Sequence, residues 1–544
     1  MERVMSALGL LALLALAYAF SNNRAAVRPR TVAWGIGLQL LFAVIILSEA
    51  SLHSFLGLYV LATLIALYAF ETTPGSGDEA GTPGEGASVG QRLVYASGAA
   101  VATAVVVAVG FGVSMLGLGG WLVAAVALAV AAAVHFGWRE TRWIFAGFVG
   151  LGLGALWFHD VPGRALFSML SDRVSEFLAL SNLGAEFMFS KLALSTPEMQ
   201  GGNEFWPGIG FQFAFTVLPT IIFFSAFMSV LYYLGVVQIL IAAMARFMHW
   251  SLQTSGSETM SCSANVFVGQ TEAPFLIKPF LQDMTPSELH AVMVGGFATI
   301  AGGVLAGYIG MGVPAGHLIA ASVMSAPAAL VIAKLLFPET EESVTAGDVE
   351  VPRVETADNV VEAAAVGTTD GLKLALNVGA MLIAFIALIG FLDWVLGGAD
   401  LWIDGRLLAG AQLASGEYAG IFPGSMRTLF GTVLAPLAFL MGVPWVDAAA
   451  VGNLLGIKLT VNEFVAYGVL SEHLAAEDLQ PRSLIIATYA LCGFANFSSI
   501  GIQIGGIGTL APERRQILAR IAFRALCGGA LASFTTATVA GMLL

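Results

Sequence analysis

Two glutamates lie inside otherwise apolar stretches of this chain. Glu272 sits in Asn265-Val-Phe-Val-Gly269-Gln270-Thr271-Glu272-Ala-Pro274, and Glu463 in Val461-Asn462-Glu463-Phe464-Val-Ala-Tyr467. A carboxylate at membrane depth is expensive, so one that is kept there marks a substrate or ion pathway. Both are flanked by Gly, Pro, Asn or Thr, which interrupt helices. Interrupted helices are how many transporters build a binding site at the bilayer midplane. The alternative is a pair of short surface loops, and long apolar runs on either side of each segment argue against it.

Two further patterns could complete such a site. The span after the first segment carries Gly295, Gly296, Gly302, Gly303 and Gly307 around Thr299. Its middle is a poor helix former and is expected to unwind. Freed carbonyls and a hydroxyl there, facing the turn at 265–268, would make an oxygen cage suited to a hard monovalent cation. The other pattern is Cys492-Gly-Phe494-Ala-Asn496-Phe497-Ser498-Ser499-Ile500-Gly501-Ile-Gln503-Ile-Gly505-Gly506. Asn496 and Ser499 are three apart, which puts them on one helix face. An amide and a hydroxyl beside Phe494 and Glu463 could bind a vicinal diol and pack a ring. The same residues could equally serve as glue between membrane helices.

The elements that must position these residues are membrane helices. Of 544 residues, 58% are hydrophobic and 11% charged, and the mean hydropathy is +0.85. Soluble domains carry about 25% charged residues. Apolar runs approaching the roughly 20 residues of a span recur at 8–20, 31–47, 56–70, 94–118, 121–134, 143–158, 211–237, 289–311, 318–337, 374–396, 429–443, 484–507 and 521–544. No β-barrel alternation is present. The first run resembles a signal peptide, but Glu2 and Arg3 cancel before it and Arg24, Arg28 and Arg30 follow it. Positive charge stays cytoplasmic, so the first helix is expected to enter from outside and remain as an anchor. Walking the runs from there places Arg139 and Arg142 inside as well, as the same rule requires. Residues 164–180 read as an amphipathic helix lying in the interface.

Composition narrows the function. The net charge is −13, and Glu339, Glu341, Glu342, Asp348, Glu350, Glu355, Asp358 and Glu362 crowd one connection. That acid fits either a high-salt habitat or an ordinary linker. Basic patches are few, which speaks against nucleic-acid binding. Cys262, Cys492 and Cys527 form no CxxC pair and read as core residues, and the seven histidines show no metal-site spacing. No nucleophile–base pair is visible, so an enzyme is not expected. The order of hairpin (256–282), broken span (289–311) and long span (318–337) is faintly echoed by 429–442, 451–467 and 484–507, as an inverted repeat would require.

The three motifs in this order resemble the concentrative nucleoside transporter family. Val217-Leu-Pro-Thr-Ile-Ile-Phe-Phe-Ser225, Leu374-Ala-Leu-Asn-Val-Gly-Ala-Met-Leu-Ile-Ala384 and Met441-Gly-Val-Pro-Trp445 add to the likeness, which covers residues 1–50 and 161–544. It implies an all-α polytopic membrane protein with inverted repeats, two re-entrant hairpins and unwound transmembrane helices. It implies cation-coupled uptake of nucleosides across the plasma membrane by a homotrimer, with no cofactor. Sodium is the favoured coupling ion. A proton-coupled symporter, or a carrier of another polar solute, is the alternative. By resemblance, Gln270, Thr271 and Glu272 would read the base edge beside Val304. Glu463, Asn496 and Ser499 would hold the ribose, with Phe494 packing nearby. Sodium would lie among Asn265, Val268, Thr299 and Ile300. The chain is expected to divide into a helix pair (1–50), interfacial and scaffold helices (161–255), the first hairpin and its repeat (256–337), an acidic linker with an interfacial helix (338–372), a scaffold helix (373–428) and the second hairpin with its repeat (429–544). Residues 51–160 depart from short family members: they hold four apolar runs and read as an inserted four-helix segment without transport chemistry.

Overall fold

The computed structural model describes all residues except 1, 49, 72–88, 116–137, 194–211, 346–356 and 414. Its architecture is helical, and an isolated bridge between Gln412 and Tyr418 is the β pairing among the described residues. Among those residues, eight helices are long and apolar enough to cross a membrane. They are α1 (Glu2–Ala19), α2 (Pro29–Leu47), most of α3 (Ser51–Glu71), α8 (Phe213–Tyr233), the pair α12 (Pro286–Ala298) and α13 (Gly302–Gly310) taken together, α14 (Ala315–Leu336), α15 (Val360–Asp400) with the π-helical turn after it, and α21 (Arg515–Leu543).

Helix ends follow local chemistry. Ser255 and Glu258 form a reciprocal cap at the start of α10 (Gly256–Ala264), and Thr285 and Glu288 do the same for α12. Such boxes satisfy backbone N–H groups that a buried helix end would leave orphaned. α15 runs 41 residues without a break, so the expected interfacial stretch before Lys373 and the scaffold span after it are one helix.

The core lies where α12, α14 and α21 pack together. Leu289, Val294, Phe297, Met324, Leu330, Ile332 and Ala537 are all fully buried there. α1 runs along α21 with its start beside the end of that helix, where Arg3 donates to Leu544 O at 2.9 Å; the Ser6 hydroxyl donates to Met441 O, just after Met426–Leu440, at 3.1 Å. The starts of α1 and α21 are therefore at opposite ends of the bundle.

The order of two short helices, a broken span and a long helix does recur, but one element later than the sequence echo places it. Residues 429–442 are not a hairpin: α16 (Met426–Leu440) is one helix that contains Pro436. It meets α17 (Trp445–Thr460) at 115°. The second set starts with α17 and α18 (Glu463–Ala476), which join at Val461-Asn462. The expected long span at 484–507 is itself broken, into α19 (Pro481–Leu491) and α20 (Phe497–Leu510). The long helix of this set is α21. So α10, the short α11 (Ala273–Leu276), α12, α13 and α14 correspond in order to α17, α18, α19, α20 and α21.

Of the four runs in 51–160, α3, α4 (Val89–Met115) and α5 (Trp138–Phe158) are helices, while 121–134 lies outside the described residues, as does nearly all of the linker at 71–88. Gly150 and Gly154 face α4, where a Cβ on Gly150 would sit 2.8 Å from a Val106 methyl; Gly147 faces open space. Phe55, Ala62, Val107 and Leu153 form a small apolar cluster separate from the main core. α3 joins the body through Ser54, whose hydroxyl donates to Ile45 O at 2.8 Å and accepts from Gly163 N at 2.7 Å. That second bond fastens α6 (Gly163–Ala179), the helix expected to lie in the interface.

Candidate functional site

Four interruptions meet in the body of the bundle: the turn 265–272 after α10, the extended link 299–301 between α12 and α13, the link at Val461-Asn462, and the link 492–496. Gly493 is where two of them cross. Its φ is +135°, open to glycine and strained for other residues. A Cβ there would lie 2.7 Å from Phe297 O and 2.7 Å from Ser533 Oγ. Just after it, Phe494 N donates to Thr299 O at 3.2 Å, so the two links are hydrogen-bonded to each other.

Asn462 and Asn496 are the residues that restart the helices. Each is an N-cap: Asn462 Oδ1 accepts from Val465 N at 2.9 Å, and Asn496 Oδ1 accepts from Ser499 N at 2.9 Å and from the Ser498 hydroxyl at 2.7 Å. The three-residue spacing of Asn496 and Ser499 is thus that of a cap and its N3 partner, not of two residues on one helix face. Capping spends the Asn496 oxygen and leaves its amide free to point across the site. That Nδ2 donates to Glu463 Oε2 at 2.9 Å. Tyr308 Oη donates to the other carboxylate oxygen at 3.2 Å. Glu463, Asn496 and Ser499 are all buried.

The other side of the site comes from the first turn. Gln270 Nε2 donates to Ser499 Oγ at 3.4 Å, and Gln270 Oε1 accepts from Gln503 Nε2 at 3.0 Å. Gln503 also donates to Met293 O at 3.1 Å. Gly296 makes room for this group: a Cβ there would lie 2.6 Å from Gln503 Nε2 and 2.9 Å from Gln270 Cβ. Thr271 packs on Gly506 of α20. Glu272 turns back on its own loop, accepting from Gly269 N at 2.7 Å, and is exposed. Val304 is buried in the first turn of α13, and Phe494 is half-buried.

The expected cation residues occupy the facing turn and link. Phe267 O lies 2.7 Å from where a Cβ on Gly302 would be, and Gly269 lies against Ala301, so 265–269 and 299–302 are in contact. Asn265 Nδ2 donates to Ser261 O at 3.0 Å, while its buried Oδ1 has no hydrogen-bond partner. An orphaned buried oxygen costs about 1–3 kcal/mol, which a bound cation would offset. Thr299 Oγ1 donates to Gly295 O at 2.9 Å and keeps its lone pairs available. Thr299 and Ile300 are buried, and Val268 is half-buried. Neutral oxygens of this kind suit a hard monovalent ion. Among the described residues no three His, Cys, Asp or Glu side chains gather as a metal-binding group.

Sequence reading missed Tyr308 and Gln503. Gln503 had a signal, standing four residues after Ser499 and so on its helix face. Tyr308 had none in its own segment, because its partner Glu463 is 155 positions away.

Three family models match in chain order. Residues 8–59 match the Na+ dependent nucleoside transporter N-terminus, 214–315 the nucleoside recognition gate, and 317–541 the Na+ dependent nucleoside transporter C-terminus. A solved structure of CNTnw in an inward-facing substrate-bound state is 32% identical with a TM-score of 0.71, covering 100% of this chain and 98% of that one. The chain belongs to the concentrative nucleoside transporter family. Among concentrative nucleoside transporter relatives, sodium/nucleoside cotransporter 1 of Mus musculus is 42% identical over 424 residues, 75% of this chain and 60% of that protein. The chain therefore spans about 60% of the length of the mammalian cotransporters that it matches. An uncharacterized transporter of Haemophilus influenzae is 43% identical over 401 residues, 73% of this chain and 89% of that one. The family models leave residues 60–213 unmatched, a stretch that holds most of the inserted segment.

Proposed function

We propose that this protein is a multi-pass transporter of the plasma membrane that takes up nucleosides by symport with sodium. The single observation that carries the reading is the meeting of Glu463, Asn496, Ser499 and Gln270 at the crossing of two interrupted segments, within a chain of this family.

In this reading the carboxylate of Glu463 accepts hydrogens from the ribose hydroxyls. Tyr308 and Asn496 hold it in place by donating to it, and charge-assisted hydrogen bonds of this kind are roughly twice as strong as neutral ones. The Asn496 amide and the Ser499 hydroxyl add further contacts to the sugar, and Phe494 packs beside it. Gln270, Thr271 and Glu272 meet the edge of the base, with Val304 alongside. The long Gln270–Ser499 bond is the contact a base would replace at least cost. Re-entrant hairpins would carry Gln270 and Glu463 at their tips, the first from α10 and α11, the second from α17 and α18.

Sodium would bind between Asn265, Val268, Thr299 and Ile300. It is cargo and coupling partner at once. Drawing the turn and the link together orders Gln270, five residues beyond Asn265, and thereby favours nucleoside binding. Linkage makes the effect reciprocal: nucleoside must tighten sodium by the same factor. The protomers would assemble as a homotrimer.

The decisive experiment is uptake of labelled uridine and adenosine into proteoliposomes. An inward sodium gradient should drive accumulation above equilibrium for at least one of them. Accumulation driven by a pH gradient alone would make the coupling ion a proton. No response to either gradient, with counterflow absent, would sink the transporter reading.

A further inference from the structure

A cavity of about 410 Å³ opens where three helix ends and one connection meet. Pro286 at the start of α12, Phe337 just after α14, and Ile517, Ile521, Arg520 and Arg524 of α21 line it, with Asn22 from the α1–α2 connection closing it. Asn22 is tied to this place, since its N–H donates to Leu336 O at 3.0 Å. None of these residues belongs to the nucleoside or cation site described above.

The lining is divided by chemistry. Ile517, Ile521, Phe337 and Pro286 are apolar. Arg520 and Arg524 are one turn apart on one face of α21, and among the described residues neither guanidinium is ion-paired. Two acids beside the same helix ends, Glu288 in the first turn of α12 and Glu339 just past α14, are already engaged. Glu288 accepts from the Ser343 hydroxyl at 2.5 Å and the Thr345 hydroxyl at 2.8 Å; Glu339 accepts from the Thr285 hydroxyl at 2.7 Å and lies 3.5 Å from Lys334 Nζ. In a chain with net charge −13, two guanidiniums facing a cavity without a carboxylate partner call for an anion from elsewhere.

Depth and side identify that anion. Arg520 lies five residues into α21, roughly 8 Å along the helix, within the headgroup zone that flanks a bilayer core of about 30 Å. Arg24, Arg28 and Arg30 follow Asn22 in the same connection, which puts the cavity on the cytoplasmic side. Cytoplasmic leaflets carry anionic lipids that basic residues attract. We propose that this cavity holds the phosphate headgroup of an anionic membrane phospholipid. Arg520 and Arg524 grip the phosphate, Asn22 donates from the connection, and the first acyl carbons lie on Ile517, Ile521 and Phe337.

The test uses full-length protein in detergent, delipidated and then offered phosphatidylglycerol or phosphatidylcholine, with retention read by native mass spectrometry. Phosphatidylglycerol should be retained in preference, and the double variant R520Q/R524Q should lose about thirtyfold in that retention, each basic residue contributing roughly fivefold near a membrane surface. The double variant R520K/R524K should keep most of it, which separates charge from fold. Nucleoside-induced thermal protection should be unchanged in both variants, showing that they are folded. Equal retention of phosphatidylglycerol by R520Q/R524Q and the parent overturns the proposal. So does displacement of the lipid by millimolar inorganic phosphate with phosphate protecting the protein equally well, since the site would then bind a free anion.

Discussion

At the scale of single residues, Glu463 shows how an acid can be kept in an apolar bundle: Tyr308 donates to one of its oxygens and Asn496 to the other. Glu463→Gln removes the charge and should lower ribonucleoside uptake at least about fivefold, since hydrogen bonds to charged groups are worth about 1 kcal/mol more than neutral ones. Uptake of 2′- and 3′-deoxynucleosides should fall less. Equal losses across the three substrates would assign Glu463 to structure instead. Tyr308→Phe takes away one donor and should cut uptake roughly fivefold, the worth of one net hydrogen bond, while leaving the thermal midpoint within a few degrees. A large drop in the midpoint would mean that the tyrosine serves folding. Both glutamates, Gln270 and Asn496 were legible in the sequence because polar residues in apolar runs are conspicuous. Their partners were not, because Tyr308 reaches Glu463 only through the folded chain.

At the scale of elements, the breaks rather than the helices carry the site. The glycine-rich stretch 295–307 was expected to unwind, and the chain does leave the helix there, but at 299–301, between the glycine pairs. Gly296 and Gly302 serve close approach instead, to Gln503 and to Phe267 O. A bare backbone admits a neighbour as readily as it frays, and sequence does not say which. The break at 492–496 was hidden inside one apolar run for a similar reason: Gly493 alone marks it, and its need shows only against Phe297 and Ser533. Gly493→Ala should destabilise the protein by about 2 kcal/mol or more through the left-handed backbone and the clash, seen as a loss of folded protein at moderate temperature. A variant as stable as the parent would mean that the crossing is loose. For the cation, Asn265→Ala deletes the orphaned oxygen. It should raise the sodium concentration for half-maximal uptake by about tenfold, one ligand's worth of roughly 1–2 kcal/mol, with nucleoside selectivity retained. An unchanged sodium response would move the ion elsewhere.

At the scale of the whole molecule, the inserted helices carry their own small cluster around Phe55, Val107 and Leu153 and join the body largely through α3. Joining residue 50 to residue 161 should therefore leave nucleoside-induced thermal protection intact, although the Ser54 bonds to Ile45 and Gly163 are lost and the midpoint falls. Abolished protection in a folded deletion protein would show that the insert shapes the site. The sequence sets 51–160 apart because an even number of runs would leave downstream topology unaffected; three of the four are helices, and 121–134 lies outside the described residues. Where that order of helices restarts was not legible, since α16 is as short and apolar as a hairpin arm and only its continuous helix distinguishes it. The hydrogen bond from Phe494 to Thr299 has a mechanical consequence. It ties the 299–301 link, where the expected cation residues Thr299 and Ile300 lie, to the 492–496 link that ends in the Asn496 cap, as on a common axle. Neither half can swing away alone without tearing that bond and pulling Gly493 off Phe297. A carrier built this way would face first one side of the membrane and then the other by moving its loaded cradle in one piece, as a passenger lift travels, rather than by opening and reassembling its grip at every floor.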